Sequence, residues 1–270
     1  MQMVKLPTLS AIRFSGADAG DFLHNQLSAD ISILASGESV FACYCEPKGR
    51  VLALMLISRV NDDYYIIMSS PLVEAIASRL RIYVMRAKVV VDVLAEHKIV
   101  ACHPGAQVEN GIRIGIPDGK HSFLLTDDGL PSVSIDPGLI AAWKMSELER
   151  GIVWLDNDTS AQFLPQMLGY DSLGAVNFRK GCYPGQEIVA RIHYLGKIKR
   201  HPRLLCTNTA IKLAPLDKIN IQADGVAYPA VVVDSGKRED GGNCVFVVSR
   251  MDPELKAEKI EIDGLLMPLI

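Results

Sequence analysis

The sequence has no apolar run long enough to cross a bilayer, which argues against a membrane-spanning protein. Its most apolar stretch, VLALMLI, is followed at once by Ser58 and Arg59, whereas a spanning helix needs about 20 mostly apolar residues. The N-terminal segment MQMVKLPTLS has neither the apolar core nor the small-residue cleavage site of a secretory signal. We therefore expect a cytoplasmic protein with no membrane contact.

An excess of charge of one sign is also absent. The 270 residues include 28 Lys and Arg against 31 Asp and Glu, a formal net charge of −3. This balance excludes a globally basic protein of the kind that coats nucleic acid, although a local basic patch is compatible with it. Hydrophobic residues make up 49% of the chain, enough for a sizeable core.

Paired cysteine motifs are missing as well. None of the six cysteines forms a C-x-x-C pair, and in so large and apolar a chain we expect no disulfide framework. Cys43 and Cys45 are interpreted as small buried residues of one strand. Since His193 and His201 lack ligand spacing to any thiol or carboxylate, no metal site is predicted.

The periodicity predicts an α+β protein with a mixed sheet. We predict a first helix with Ser15 as its N-cap and Asp18 at the capping-box position. A second helix is predicted over 70–86, with Pro71 at its favoured first position. A third is predicted over 136–150, ended by Gly151. Strand-like runs separate these helices, an order typical of the α+β class.

The texture of the sequence changes near residue 200. Beyond it, five short β-rich runs (RLLCT, DKINIQ, AYPAVVVDSG, NCVFVVSRM and EKIEIDG) are separated by turn residues. Such spacing is typical of a small β-barrel or sandwich. We therefore divide the chain into an α+β region, 1–199, and a C-terminal β-barrel domain, 200–270.

Charged and potentially reactive side chains are most concentrated in NFRKGCYPGQEIVARIH, residues 177–193. Gly181 and Gly185 allow a left-handed backbone with uncovered amide groups, and a helix is predicted to follow. Glu187 then lies near a helix N-terminus, where a bound anion is also stabilised. Composition alone leaves two interpretations open, a difficult structural corner or a binding site.

Cys182 is the candidate reactive cysteine. A neighbouring ammonium group, here that of Lys180, and a helix N-terminus both favour the thiolate form. The alternative is that Cys182 fills buried space, as most lone cysteines do.

A basic stretch follows the turn from Gly181 to Gly185, the glycine turn. No acidic residue occurs between Glu187 and Asp217. The stretch is either a solvated face or a receiver for a polyanion such as a polyglutamate tail or RNA phosphates. Its cations are Arg191, Lys197, Lys199, Arg200 and Arg203.

These residues carry a family resemblance. KGCYPGQEIVAR resembles the K-G-C-Y-x-G-Q-E signature of the YgfZ family, folate-binding proteins related to the T-protein (aminomethyltransferase) of the glycine cleavage system. GADAGDFLHNQLSADI, CEPKGRVLA and the segment from ERGIVWLDND to the signature are also similar to the family, so the likeness spans residues 15 to about 200. The resemblance implies a three-lobed ring, two interleaved lobes coming from 1–199, around a cavity that holds tetrahydrofolate.

The resemblance also implies roles for individual residues. Glu187 would anchor the pterin, because a carboxylate accepts two parallel hydrogen bonds from a ring N–H and an exocyclic amino group. Tyr183 would stack on a flat ring. The remaining candidates are the turn residues Gly181, Gly185 and Gln186, and the cations Arg191 and Lys199, which would meet the folate's glutamyl carboxylates.

One position departs from the T-protein pattern. T-proteins place an aspartate early in the helix after the second strand, whereas SSPLVEAIASRL offers Glu74 instead. The T-protein signature also lacks the cysteine found here at position 182. We therefore do not expect a glycine-cleavage enzyme, and whether the chain catalyses a reaction is left open.

Three functions follow from these observations. The first is a folate-dependent accessory protein that assembles or repairs iron–sulfur clusters for client enzymes, including tRNA-thiolating ones, with Cys182 as the working thiol. The second is a folate-dependent transferase of an aminomethyl, methyl or formyl group. The third is a module that binds RNA or a protein partner through the basic stretch.

Overall fold

The computed structural model describes residues 3–102, 111–127, 133, 135–196, 198–262 and 264–269. These residues form four α-helices and fifteen strands, which confirms a mixed helix-and-sheet protein. The helices are α1 (Ala19–Gln26), α2 (Val73–Val84), α3 (Pro137–Glu149) and α4 (Gln186–Leu195). The strands are β1 (Val4–Lys5), β2 (Leu9–Ser15), β3 (Ser39–Cys45), β4 (Val51–Val60), β5 (Asp63–Ser69), β6 (Val90–Val93), β7 (Lys98–Cys102), β8 (Ile112–Gly115), β9 (Ser122–Thr126), β10 (His201–Thr207), β11 (Lys218–Ala223), β12 (Val226–Lys237), β13 (Asn243–Ser249), β14 (Lys259–Ile262) and β15 (Leu265–Pro268).

The strands form three sheets whose described ladders are all antiparallel, so the prediction of a mixed sheet is wrong. One sheet has the order β3-β4-β5-β2-β6, and a second has the order β1-β7-β9-β8. The third, with the order β10-β13-β12-β11-β14-β15, contains every strand after residue 200. The main hydrophobic core joins the first two sheets to α3 and to one face of the third.

The start of α1 differs from the prediction. Ser15 is the last residue of β2, where it pairs with Val90 of β6, and the helix begins only at Ala19. The carboxylate of Asp18 accepts the backbone N–H of Lys88 at 2.7 Å instead of a bond within a capping box. The prediction of Ser15 as N-cap is therefore wrong, because pairing with β6 keeps that residue extended.

The other helices lie where they were predicted. The predicted helix over 70–86 consists of a 3₁₀ turn, Ser70–Leu72, followed by α2. At the start of α3, Asp136 accepts the backbone N–H groups of Gly138 and Leu139 at 2.8 and 3.2 Å. This side-chain cap is typical of a helix N-terminus.

The predicted C-terminal β region is found with one additional strand, β15. Its antiparallel ladders run from β10 to β15. No ladder among the described residues joins these two outer strands, so closure into a barrel stays a prediction. Of the helices in the described ranges, none has the length and apolar character needed to cross a membrane.

Two cysteines differ from expectation. Cys206 and Cys244 face each other across β10 and β13 and form a disulfide, so the expectation of no disulfide is wrong for this pair. Sequence spacing could not reveal it, because the pairing depends on the register of two strands 38 residues apart. Cys43 and Cys45 are buried, as predicted.

Candidate functional site

The glycine turn before α4 is pressed against the turn between β3 and β4. Gly185 has a φ of +83°, and a Cβ at this position would lie 2.4 Å from the carbonyl oxygen of Glu46 and 2.7 Å from Cα of Gly49. Only glycine combines this left-handed backbone with such a close approach. Gly181 does not share the left-handed conformation, so the expectation of positive φ holds for Gly185 alone.

Lys180 holds the turn against the C-terminal end of α1. Its Nζ donates to the backbone carbonyls of Leu27 at 2.6 Å and Ala29 at 3.1 Å, and also to that of His24. Burial lowers the pKa of Lys180 to about 8, against a smaller raising effect of Asp30. The ammonium group is thus engaged with the backbone, and its expected influence on the thiol of Cys182 stays a prediction.

Tyr183 and Gln186 complete this arrangement. Tyr183 is only 6% exposed, and Nζ of Lys180 lies 5.3 Å from the centre of its ring. Burial raises the pKa of its phenol. Nε2 of Gln186 donates to the carbonyl of Lys180 at 3.2 Å. Tyr183 therefore contributes packing to the turn and presents little ring surface to a ligand.

Cys182 is the exposed member of the four free cysteines, all of which lie in the described ranges. Burial raises the pKa of Cys43 to about 12 and that of Cys45 well above its usual value. Nε2 of His24 lies 3.9 Å from where a side chain on Gly181 would begin, so an imidazole adjoins the thiol's turn. Cys182 is thus the most accessible free thiol of the molecule.

The charged candidates of α4 point to solvent. Glu187 and Arg191 are exposed one helical turn apart, and Lys199 is exposed beyond the helix. None of the three makes an ion pair with another described residue. Lys197 lies outside the described residues.

A cavity of about 580 Å³ lies elsewhere, between α3, the start of β2, the end of β5 and the interior of β12. The residues predicted in the glycine turn do not line it. Its lining combines aliphatic and indole side chains with three carboxylates and one ammonium group: Leu6, Pro7, Thr8, Leu9, Ser69, Ser70, Pro71, Ile140, Trp143, Lys144, Glu147, Leu148, Ile152, Trp154, Asp156, Val233 and Asp234.

Glu147 is the buried acid of this cavity. Its side chain is 5% exposed, and its Oε1 accepts the indole N–H of Trp154 at 2.9 Å. Burial raises the pKa of Glu147 to about 7, although the indole groups and Arg150 favour the ionised form. A carboxylate in an apolar cavity with a raised pKa is typical of a functional site.

A second polar group of the cavity is the indole N–H of Trp143. It is buried and forms no hydrogen bond of normal geometry within the described residues, yet it lies close enough to Glu147 to lower the pKa of that carboxyl group. At the rim, Nζ of Lys144 forms a 2.6 Å ion pair with Asp234, whose pKa is raised by burial. Because buried donors are nearly always satisfied, the Trp143 N–H is a candidate donor to the Glu147 carboxylate or to a ligand in the cavity.

Sequence reasoning missed Glu147, Trp143 and Trp154. They lie on α3 and just after it, within the predicted helical segment and the stretch that follows. The available signal was that the chain has only two tryptophans and that two acidic residues, Glu147 and Glu149, lie between them. Among the described residues, no group of three or more His, Cys, Asp or Glu could hold a metal ion.

The fold defines the structural class of the protein. The chain superimposes on a crystal structure of the glycine cleavage system aminomethyltransferase T from Bartonella henselae with a TM-score of 0.67. The match covers 99% of this chain and 83% of the other, at 15% identity. The protein therefore has a T-protein-like fold.

Relatives then identify the family. No family model matches the sequence. The chain is 30% identical over 255 residues to an uncharacterized protein of Haemophilus influenzae, covering 93% of this chain and 90% of that one. It is 24% identical to the tRNA-modifying protein YgfZ of Colwellia psychrerythraea, covering 78% and 72%, and 26% identical to that of Enterobacter sp., covering 96% and 88%. The chain belongs to the YgfZ family.

Proposed function

We propose that this chain is a folate-binding protein that serves tRNA modification in the cytoplasm. Family membership supports the link to tRNA, since relatives are named tRNA-modifying proteins. The observation that carries folate binding is the cavity on α3, where the buried Glu147 carboxyl group and the Trp143 indole N–H lie among mixed apolar and charged side chains. The proposal includes the three-lobed ring, the 1–199 and 200–270 domains and the C-terminal barrel implied by the resemblance.

The cavity fits the chemistry of a pterin. Its volume of about 580 Å³ falls within the usual range for small-molecule sites. Glu147 uses Oε1 for Trp154, so its other oxygen and the remaining lone pair are available for the pterin's ring N–H and amino group. The Trp143 N–H would donate to a ring nitrogen or carbonyl, and the partly exposed indole of Trp154 would pack on the flat ring.

Two carboxylates thus compete for the role of pterin anchor. The signature resemblance supports Glu187, which is exposed on the first turn of α4. Burial supports Glu147, because a charge-assisted hydrogen bond is stronger where water is excluded. We assign the pterin to Glu147 and keep Glu187, with Arg191 and Lys199, as candidates for the folate's more distal groups.

Calorimetry with a stable reduced folate tests this assignment. Glu147→Gln presents an amide donor to the pterin's donors, so affinity should fall at least ten-fold, about 1.4 kcal/mol. Glu187→Gln is the matched variant and should have a smaller effect. Loss of affinity in Glu187→Gln alone would move the pterin to the glycine turn, and absence of folate binding by the unmodified chain would refute the proposal.

The finer proposal concerns Cys182. Its exposure beside His24 and Lys180 supports a working thiol that helps maintain iron–sulfur clusters of client enzymes, tRNA-thiolating ones among them. The alternative is a folate-dependent one-carbon transferase. A deletion strain complemented with Cys182→Ala separates them: iron–sulfur enzyme activity should stay low, although folate binding by the variant is unchanged. Full rescue would remove the thiol from the function, and turnover of a one-carbon folate by the variant would favour the transferase.

A further inference from the structure

The third sheet has one face that is only partly covered. Its inner face forms a separate core from alternate residues of each strand, among them Ile219, Ile221 and Val247. On the opposite face, Val248 packs against the main core. On the same face Lys218 is exposed and Asn220 is partly exposed, so this part of the sheet is open.

A groove of about 470 Å³ runs across the strands on this open part. The strand registers place its polar residues in neighbouring positions. Arg200 and Arg250 lie one residue beyond the His201–Ser249 pair of β10 and β13. Asn220 is paired with Pro229 on one side and Glu261 on the other.

The groove carries an excess of positive charge. Arg200, Lys218 and Arg250 make no ion pair with any described residue. Glu261, the acid of the lining among the described residues, accepts the amide of Gln222 at 2.9 Å and keeps its negative charge, which leaves three cations against one carboxylate. Like charges on adjacent strands destabilise a sheet, so a pair of unpartnered arginines suits the binding of an anion.

We propose that this groove binds the phosphodiester backbone of RNA. The cations extend from β10 to β11, three strand spacings or roughly 14 Å, which exceeds one phosphate and suits an extended polyanion. Arginine forks pair with phosphate oxygens in a bidentate manner, and each nucleotide of RNA carries one such phosphate. Pro229 and Val231, which line the groove and are at least partly exposed, offer apolar surface to sugar and base. This inference rests on the proposed function in tRNA modification and assigns its RNA contact to the third sheet.

Fluorescence anisotropy with a labelled tRNA tests the groove. Arg200→Glu, Lys218→Glu and Arg250→Glu combined should weaken binding at least ten-fold. Arg86→Glu, Lys98→Glu and Lys120→Glu, three exposed cations outside the groove, form the matched control and should change affinity less than three-fold. With glutamine at the three groove positions, the slope of log affinity against log salt should fall by roughly 2 to 3.

A variant expected to tighten tRNA binding and a separate measurement of folate binding complete the test. Glu261→Gln removes the only acid lining the groove in the described residues and should tighten tRNA binding two-fold or more. The folate affinity of the groove variants, measured by calorimetry, should be unchanged, so loss of the RNA contact is distinguishable from failure of folate binding. Equal weakening by the groove and control variants, no tRNA binding by the unmodified chain, or preferential binding of polyglutamate peptide would each overturn the assignment.

Discussion

The glycine turn and the α3 cavity differ in how far their polar side chains are already engaged in the fold. In the turn, Lys180, Tyr183 and Gln186 are engaged in holding the backbone, and Cys182 is exposed. In the cavity, Glu147 and Trp143 are buried with hydrogen-bonding capacity left over. The difference teaches that a conspicuous motif can serve largely to build a corner that exposes one thiol, while buried polar groups suited to a ligand lie on a helix with no distinctive pattern.

The largest expected effect is a loss of stability from a substitution in the glycine turn that leaves the residues of the α3 cavity unchanged. Gly185→Ala adds a Cβ at 2.4 Å from the Glu46 carbonyl in a left-handed backbone, so the free energy of unfolding should fall by about 3 kcal/mol. Urea denaturation measures this loss.

Gly174→Ala is the matched control, because Gly174 also has positive φ but open space around the new Cβ. It should cost only about 1 kcal/mol, the strain of a left-handed alanine. Equal losses in the two variants would mean that close contact between the two turns does not explain Gly185.

The second prediction concerns the pH dependence of the cavity. Burial raises the pKa of Glu147 from its ordinary value of 4.5 to about 7 in the folded state. Between these two pH values the folded state therefore holds a proton that the unfolded state has lost. The free energy of unfolding should therefore fall by up to about 3 kcal/mol as pH rises through this window. Denaturation at several pH values should show this decline in the unmodified chain and its loss in Glu147→Gln. A slope unchanged by the substitution would contradict a proton held at Glu147.

The third prediction concerns the reactivity of the Cys182 thiol in the glycine turn. Because the other free cysteines are buried, Cys182 should react with iodoacetamide at least ten-fold faster than Cys43, Cys45 or Cys102. Mass spectrometry after timed quenching measures the rates, and labelling in denaturant shows that each peptide is detectable. Should Cys182 be the slowest of the four, it is a buried filler and the turn has no accessible thiol.

The smallest effect is expected from the exposed cations. Arg191→Glu with Lys199→Glu should weaken polyglutamylated folate a few-fold more than the monoglutamate, because exposed charges contribute little. The difference should fade with salt, since screening acts within about 10 Å at moderate ionic strength. Calorimetry with both folates measures it. Identical effects on the two ligands would leave these residues as a solvated surface.

Local signals in the sequence predicted much of this architecture. The helix after Gly185 and the strands beyond residue 200 were found because glycine, proline and polar turns punctuate them. The start of α1 was missed because Ser15 is held by β6, a partner 75 residues away. The cavity could not be predicted for the same reason: Glu147 becomes a buried acid only when α3 packs against β12 and β1, which are distant from it in the sequence.

The location of the pterin is tested most directly by fluorine NMR of the chain labelled with 5-fluorotryptophan. Both tryptophans of the sequence, Trp143 and Trp154, line the α3 cavity, so the spectrum should contain two resonances that report on that site alone. Titration with a stable reduced folate should shift both resonances and saturate at the stoichiometry and affinity given by calorimetry. Calorimetric binding that leaves both resonances unmoved would place the pterin outside the cavity and contradict the account.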